Sequence, residues 1–153
     1  MRLLFTLSIL AVLIFSSCKK DGPNSPIDPQ LTGQWEMISV KDYSTNEVFT
    51  EPTILTTEID ITISFTSSTN GNISGTLSTG TTVKGGFSVD QYLRIAVPRI
   101  NLSYPPFDIF YGSFDWDSQF YSNITLSSNY SFDSSGNLNI SCSNHKVLTF
   151  IKK

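Results

Sequence analysis

The sequence predicts a mainly β fold: an antiparallel, partly open (cracked) β-barrel of about seven strands, with one short helix near residues 116–126. Three observations carry this. Apolar and polar residues alternate with a period of two through most of the chain after residue 58. Breaks rich in glycine, asparagine and serine separate those runs at hairpin spacing. Only the stretch 113–128 places its large apolar residues at helical spacing.

The first strand is expected over 33–40, with Trp35 and Met37 on one face. Ile59, Ile61, Ile63 and Phe65 then alternate with Asp60, Thr62, Ser64 and Thr66, so one face is buried and one is wet. Asn70-Gly71 tolerates the positive φ of a tight hairpin turn, and 73–78 pairs back. Gly80 marks the next turn. The strand 82–89 is interrupted by Gly85-Gly86, which suggests a bulge where the sheet curls. After a short turn at Asp90-Gln91, a strand 92–97 sets Leu93, Ile95 and Val97 on one face, and Pro98 limits it.

The helix rests on Phe120 and Ile124 at i,i+4, with Asp115 and Asp117 suited to its first turn. It is expected to pack across the sheet and cover part of its open end. Segments 130–133 and 137–142 flank the hairpin connection Ser134-Ser135-Gly136. Ser143-Asn144 turns the chain again, and 146–151 closes the fold. Covering the edges matters because exposed strand edges template aggregation.

The chain before this region reads as an export signal. Arg2 supplies a positive start, and 3–15 is almost unbroken apolar residue. A membrane span needs roughly 20 such residues, so this run is too short for one. Small residues Ser16 and Ser17 precede Cys18, and Phe15-Ser16-Ser17-Cys18 resembles a lipobox with a relaxed first position. The expectation is a lipoprotein signal peptide over 1–17, with Cys18 acylated as the first mature residue. An ordinary secretory signal with an incidental Cys18 is the alternative. Several acyl chains on one cysteine make attachment close to permanent, whereas one chain holds only marginally. Lys19 and Lys20 sit where anionic headgroups would meet them. Lys19, in place of an aspartate, leans the location toward the outer membrane. Residues 18–30 hold Gly22, Pro23, Pro26 and Pro29 and read as a flexible tether. The folded part should be a single β domain over 31–153, about 120 residues and enough for a real core.

Composition narrows the function classes. With 39% hydrophobic and 15% charged residues and a net charge of −3, the chain lacks the basic stripe that neutralises phosphates, so nucleic acid is not an expected partner. With Cys18 lipidated, Cys142 has no intramolecular partner. It falls on the Leu138 and Ile140 face and reads as a small buried hydrophobe, with a reactive thiol as the sharper alternative. His145 is the only histidine, and one histidine makes neither a zinc site nor a catalytic pair. Among carboxylates, Glu58–Asp60 and Asp115–Asp117 lie closest in sequence, and helix capping explains the second pair. No catalytic residue, metal site or cofactor is expected.

The opening Leu31-Thr32-Gly33-Gln34-Trp35 resembles the Leu-x-Gly-x-Trp start of META-domain proteins and of small lipocalin-like bacterial lipoproteins. Ile63-Ser64-Phe65 before Gly71-Asn72-Ile73-Ser74-Gly75, then Tyr130-Ser131-Phe132, Gly136-Asn137-Leu138 and Val147-Leu148-Thr149-Phe150, are similar to the META pattern. The sequence departs from it at 79–82 and at 101–106, which leaves a lipocalin-like assignment open. The resemblance implies a cell-envelope role with no reaction attached. It also implies structural parts for Gly33, in close backbone approach, and for Trp35, as a plug at one end of the barrel.

The densest feature is aromatic. Tyr104, Phe107, Phe110, Tyr111, Phe114 and Trp116 lie in one stretch that Pro105-Pro106 starts as a loop. Such rings either fill the barrel mouth or present a ligand-binding surface. The expected function is that of a monomeric, membrane-anchored, non-catalytic envelope protein that binds a small apolar ligand, a glycan or a partner protein. The alternative is a structural or stress-related interaction lipoprotein whose barrel is filled and has no ligand pocket.

Overall fold

Strand β1 (Gly33–Asp42) shows how the sequence sets the sheet. Trp35 and Met37 are buried in one phase of the alternation and Val40 in the other. A bulge between Met37 and Ser39 makes the change, because the extra residue flips which side chains face inward. The same bulge lets β1 serve two neighbours on one edge. Gly33–Glu36 pair with β3 (Thr62–Phe65), and Ser39–Asp42 pair with β2 (Glu47–Thr50). The other edge of β1 pairs along its length with β9 (Lys146–Lys152).

The computed structural model describes residues 29–52, 60–66, 70–90, 92–104 and 114–153. The expected signal, Cys18 and most of the tether lie outside these residues, as do Glu58, Ile59, Gln91, Phe107, Phe110 and Tyr111. The remaining elements are β4 (Asn70–Thr76), β5 (Thr82–Val89), β6 (Ile95–Ser103), α1 (Phe114–Ile124), β7 (Ser127–Phe132) and β8 (Leu138–Cys142).

All pairings are antiparallel, in the order β6-β5-β4-β3-β1-β9-β8-β7, with β2 beside β1 off that path. The eight strands of the path form an open, strongly curled half-barrel. Its two end strands meet briefly. Arg94 bridges Asn129, the Tyr130 amide donates to the Leu93 carbonyl at 3.1 Å, and the Val97 amide donates to Ser127 Oγ at 3.2 Å. No ladder joins the rest of β6 to β7 among the described residues, so the expected crack is present.

One cluster fills the curl. Trp35, Met37, Ile61, Ile63, Ile73, Ile95, Phe120, Ile140 and Phe150 are all at most 1% exposed, with Leu31 beneath Trp35. Each such side chain contributes about 1.5–3 kcal/mol by leaving water. The Trp35 indole donates to the Leu31 carbonyl at 2.8 Å, and its ring lies 5.8 Å from that of Phe132. The indole is thereby buried with its one polar atom satisfied.

Several elements differ from the sequence expectation. Asn70 and Gly71 are not the hairpin turn; they belong to β4 and pair with Ser88 and Phe87. Gly71 is needed there because a Cβ would fall 2.4 Å from Phe87 Cε1. The strand expected over 92–97 instead runs over Ile95–Ser103, straight through Pro98. Pro98 is tolerated because β6 ends the sheet path and its pairing slips between Gly86 and Ser88, so no ladder amide is missed. That slip is the bulge expected at Gly85-Gly86. Leu93 sits in the preceding turn with φ +60, half exposed and off the Ile95 and Val97 face. The helix begins and ends two residues earlier than expected, with Trp116, Phe120 and Ile124 as its buried stripe. Strand β2, with every residue exposed, has no counterpart in the sequence reading.

The strand directions give the molecule two ends. Gly33, Phe65, Leu138 and Lys152 belong to the end where the chain arrives at Leu31. Asp42, Thr76, Ser103 and Cys142 belong to the far end. Helix α1 lies at the far end, against the loops after β4 and β8.

Candidate functional site

Helix α1 is held by polar pins on either side of its apolar stripe. Asp117, 2% exposed, accepts from the Ser78 amide at 2.8 Å and hydroxyl at 2.5 Å, and from the Thr79 amide at 3.1 Å and hydroxyl at 2.6 Å. This fixes the first turns of α1 to the β4–β5 loop. A buried carboxylate is tolerated because each oxygen accepts two bonds. Asp117 therefore makes a tertiary anchor in place of the helix cap that its sequence position suggests. Near the other end of α1, Asn123 Oδ1 accepts from Asn144 Nδ2 at 2.7 Å, and Asn123 Nδ2 donates to the Gln119 carbonyl at 2.5 Å.

A groove of about 470 Å3 opens between the helix so fixed and the lip of the half-barrel. Phe49, Thr50 and Pro52 line one side, and Asp115, Trp116, Ser118 and Gln119 line the other. Phe49 faces this way because it pairs with Val40, which in turn pairs with Leu148, and directly opposed residues share a face of the sheet. Val40 and Leu148 are buried, so Phe49 stands on the concave side where the interior meets solvent. Lys146 ties the walls together. Its Nζ donates to Gln119 Oε1 at 3.3 Å, lies 5.8 Å from the Phe49 ring, and is 4.0 Å from Asp42 Oδ2. Asp42 itself is held below the usual carboxylate range, chiefly by the Ser44 amide. With Gln119 Oε1 committed to Lys146, its Nε2 remains as a donor on the groove wall.

Strand β2 forms the lip. The Glu51 amide donates to the Ile38 carbonyl at 3.3 Å, so by alternation Phe49 and Glu47 also direct their backbone groups to β1. The amides and carbonyls of Val48 and Thr50 then point outward, and among the described residues β2 pairs only with β1. Tyr43, Val48, Phe49, Tyr104, Tyr121 and Leu126 are exposed.

The residues singled out in the sequence part company here. Trp116 is 3% exposed and lines the groove floor from the core. Tyr104 is 64% exposed, just after β6. Phe107, Phe110 and Tyr111 lie outside the described residues; Phe114 starts α1 and its side chain is outside them too. Gly33 takes φ +133, with Lys152 Cε 3.2 Å from where a Cβ would stand, so close approach and backbone conformation both call for glycine. Phe49, Gln119 and Lys146 were missed. β2 carries no strand period that could flag it, and the sequence marks Lys146 only as the start of a strand.

A second cluster lies beside the middle of β1, where the Glu51 amide meets Ile38. Carboxylate oxygens of Glu36, Glu51 and Asp60 lie within 4.8 Å of one another. Three oxygen donors would suit a hard divalent cation, but the Lys153 ammonium already bridges two of them, 2.5 Å from Glu36 and 2.7 Å from Asp60. Those hydrogen bonds, that to Asp60 foremost, raise Lys153 above the usual lysine value. Glu51 is raised above the usual carboxylate range by burial first, then by Asp60 and Glu36. Elsewhere, burial pushes the Cys142 thiol up to about 12, which keeps it protonated and non-nucleophilic at neutral pH. His145 is exposed in a turn at φ +65.

No protein-family model matches this chain, and no curated protein matches it. Among solved structures, a protein from Burkholderia xenovorans determined by NMR is similar over 90% of this chain and 94% of its own, with a TM-score of 0.60 and 14% identity. At that identity the likeness shows a shared fold. The class defined is a curled antiparallel half-barrel with a helix-walled groove at one end.

Proposed function

We propose that the chain is a lipid-anchored, non-catalytic protein of the cell envelope that binds a partner in the groove between β2 and α1. The observation that carries this reading is the groove itself: about 470 Å3, with Phe49 and Trp116 as apolar walls and Asp115, Ser118 and Gln119 as polar ones. The lipobox-like Phe15–Cys18 supports the anchor, and the Leu31–Trp35 opening supports kinship with META-domain or lipocalin-like lipoproteins. The groove lies at the end away from Leu31, which leaves it open to a partner in a chain tethered at Cys18. Of the three ligand classes, the outer edge of β2, which pairs with no strand among the described residues, favours a polypeptide, because alternating outward amides and carbonyls match another strand. Glycan and small apolar ligand are the competing outcomes.

One observation favours a second reading. The curl is filled by its own side chains, as an interaction protein without an internal ligand cavity would have it. Both readings put recognition on the outer surface. Calorimetry on the purified protein against oligosaccharides, hydrophobic probes and envelope extract, with Phe49→Ala and Gln119→Ala as controls, tests the groove. Binding that falls at least tenfold in those variants is expected. Binding indifferent to both, or to no member of the panel, contradicts it. Metabolic labelling with a fatty acid, lost in Cys18→Ala, tests the anchor.

A further inference from the structure

The turn that leads into β6 exposes two neighbouring apolar side chains, Tyr92 at 67% and Leu93 at 49%. It is rigid. Asp90 accepts from the Tyr92 amide at 2.9 Å, the Arg94 amide at 3.1 Å and Arg94 Nε at 2.6 Å, and the Leu93 amide donates to the Asp90 carbonyl at 3.2 Å. Burial acts to raise the Asp90 carboxyl, but these bonds together outweigh it and hold the group below the usual range. None of these bonds uses the side chain of Tyr92 or Leu93. Leu93 also takes φ +60, a left-handed conformation that glycine or asparagine adopts with less strain. The turn's hydrogen bonds use only the backbone of Leu93, so they give no reason for a leucine side chain, half in water, at this left-handed position.

The position of this turn suggests an explanation. It lies at the end where the chain arrives. Leu31 is bonded to the Trp35 indole, the Trp35 ring meets Phe132, Phe132 meets Tyr130, and the Tyr130 amide donates to the Leu93 carbonyl. Residues 19–28 can span at most roughly 35 Å, so this end stays within that reach of a lipid on Cys18. The Arg94 guanidinium lies 5.4 Å from the Tyr92 ring centroid. A tyrosine, a leucine and an arginine on one tip are the side chains that settle at the boundary between headgroups and acyl chains.

We propose that Tyr92, Leu93 and Arg94 form a second membrane contact, a tip whose Tyr92 and Leu93 enter the interface of the phospholipid surface beside the anchor. It rests on the lipid-anchor reading above and adds an orientation to it: two contacts at one end hold the groove outward.

The test uses the mature protein purified from cells and reconstituted in phosphatidylcholine–phosphatidylglycerol vesicles, with Tyr92→Trp or Tyr43→Trp as reporters. The native Trp35 and Trp116 are buried, and the unsubstituted protein supplies their background. Emission of Tyr92→Trp should shift to the blue and be quenched at least twofold by lipids brominated near the headgroup. Tyr43→Trp, at the far end, should remain water-like. Adding Leu93→Gly, which relieves the backbone, should leave stability unchanged or higher while removing most of the quenching. Water-like emission from Tyr92→Trp, equal quenching at both reporters, or quenching indifferent to Leu93→Gly would each overturn the tip. Mass spectrometry of the N-terminal residue reports the anchor separately. If it carries no acyl chain, the anchor reading fails, and quenching on simple addition to vesicles decides the tip alone.

Discussion

At the residue scale, Asp117 is the most exacting position. Its two oxygens take two amides and two hydroxyls from Ser78 and Thr79, out of contact with water. Asp117→Ala takes the acceptor from the buried Thr79 amide and hydroxyl and from the part-buried Ser78 donors, and should cost about 3 kcal/mol in urea unfolding. Asp117→Asn keeps one acceptor oxygen and should cost about 1–2 kcal/mol. The sequence offered Asp117 only as the second acid of a helix start, because its partners lie far away in the chain. Glu51 behaves in the opposite sense. Its folded-state value is raised, so its ionisation works against the fold. Below the ordinary value of 4.5 it is protonated folded or unfolded and contributes nothing; as pH rises above that, it subtracts stability. Glu51→Gln should therefore raise the urea midpoint at pH 7 and leave it unchanged at pH 3.5. A fall at pH 7 would mean that Glu51 is instead an effective partner of Lys153.

At the element scale, periodicity sufficed where one face is buried and one wet. It located β1, β5, β8 and β9 to within a few residues, since their inward positions are Trp, Val, Phe, Ile and Leu. It failed where a neighbour overrides the local pattern. Pro98 sits inside β6 because that strand ends the path beside a bulge, a fact of topology that a proline signal cannot carry. Asn70-Gly71 is the strongest local hairpin signal in the chain, yet Gly71 is small in order to admit the Phe87 ring. Gly75 has a similar reason, since a Cβ there would lie 1.7 Å from the Thr62 carbonyl oxygen of the neighbouring strand. Gly75→Ala must push β3 from β4 and should cost about 3 kcal/mol by thermal or urea unfolding. A near-neutral result would mean that these strands are free to separate. β2 was illegible because all four of its residues are exposed, so nothing in its sequence marks an inward face.

At the scale of the whole molecule, the sequence supplied the curl, the crack and the helix at its open end, because alternation, glycine breaks and one i,i+4 stretch are local signals. The groove was only half legible. Trp116 was singled out within an aromatic run, but the wall facing it comes from β2, and the cation linking both walls comes from Lys146 on β9. Three segments distant in sequence meet there, and no one of them is distinctive alone. The arrangement gives the molecule a direction, with the chain's arrival and the Tyr92–Leu93 tip at one end and the groove at the other.

Site-specific photo-crosslinking in living cells tests that groove most directly. A photoreactive residue replaces Phe49, Gln119 or, on the exposed wall of β5, Lys84. One adduct shared by positions 49 and 119 and absent at 84 is expected; no adduct at either groove position, or the same adduct at all three, contradicts recognition in the groove.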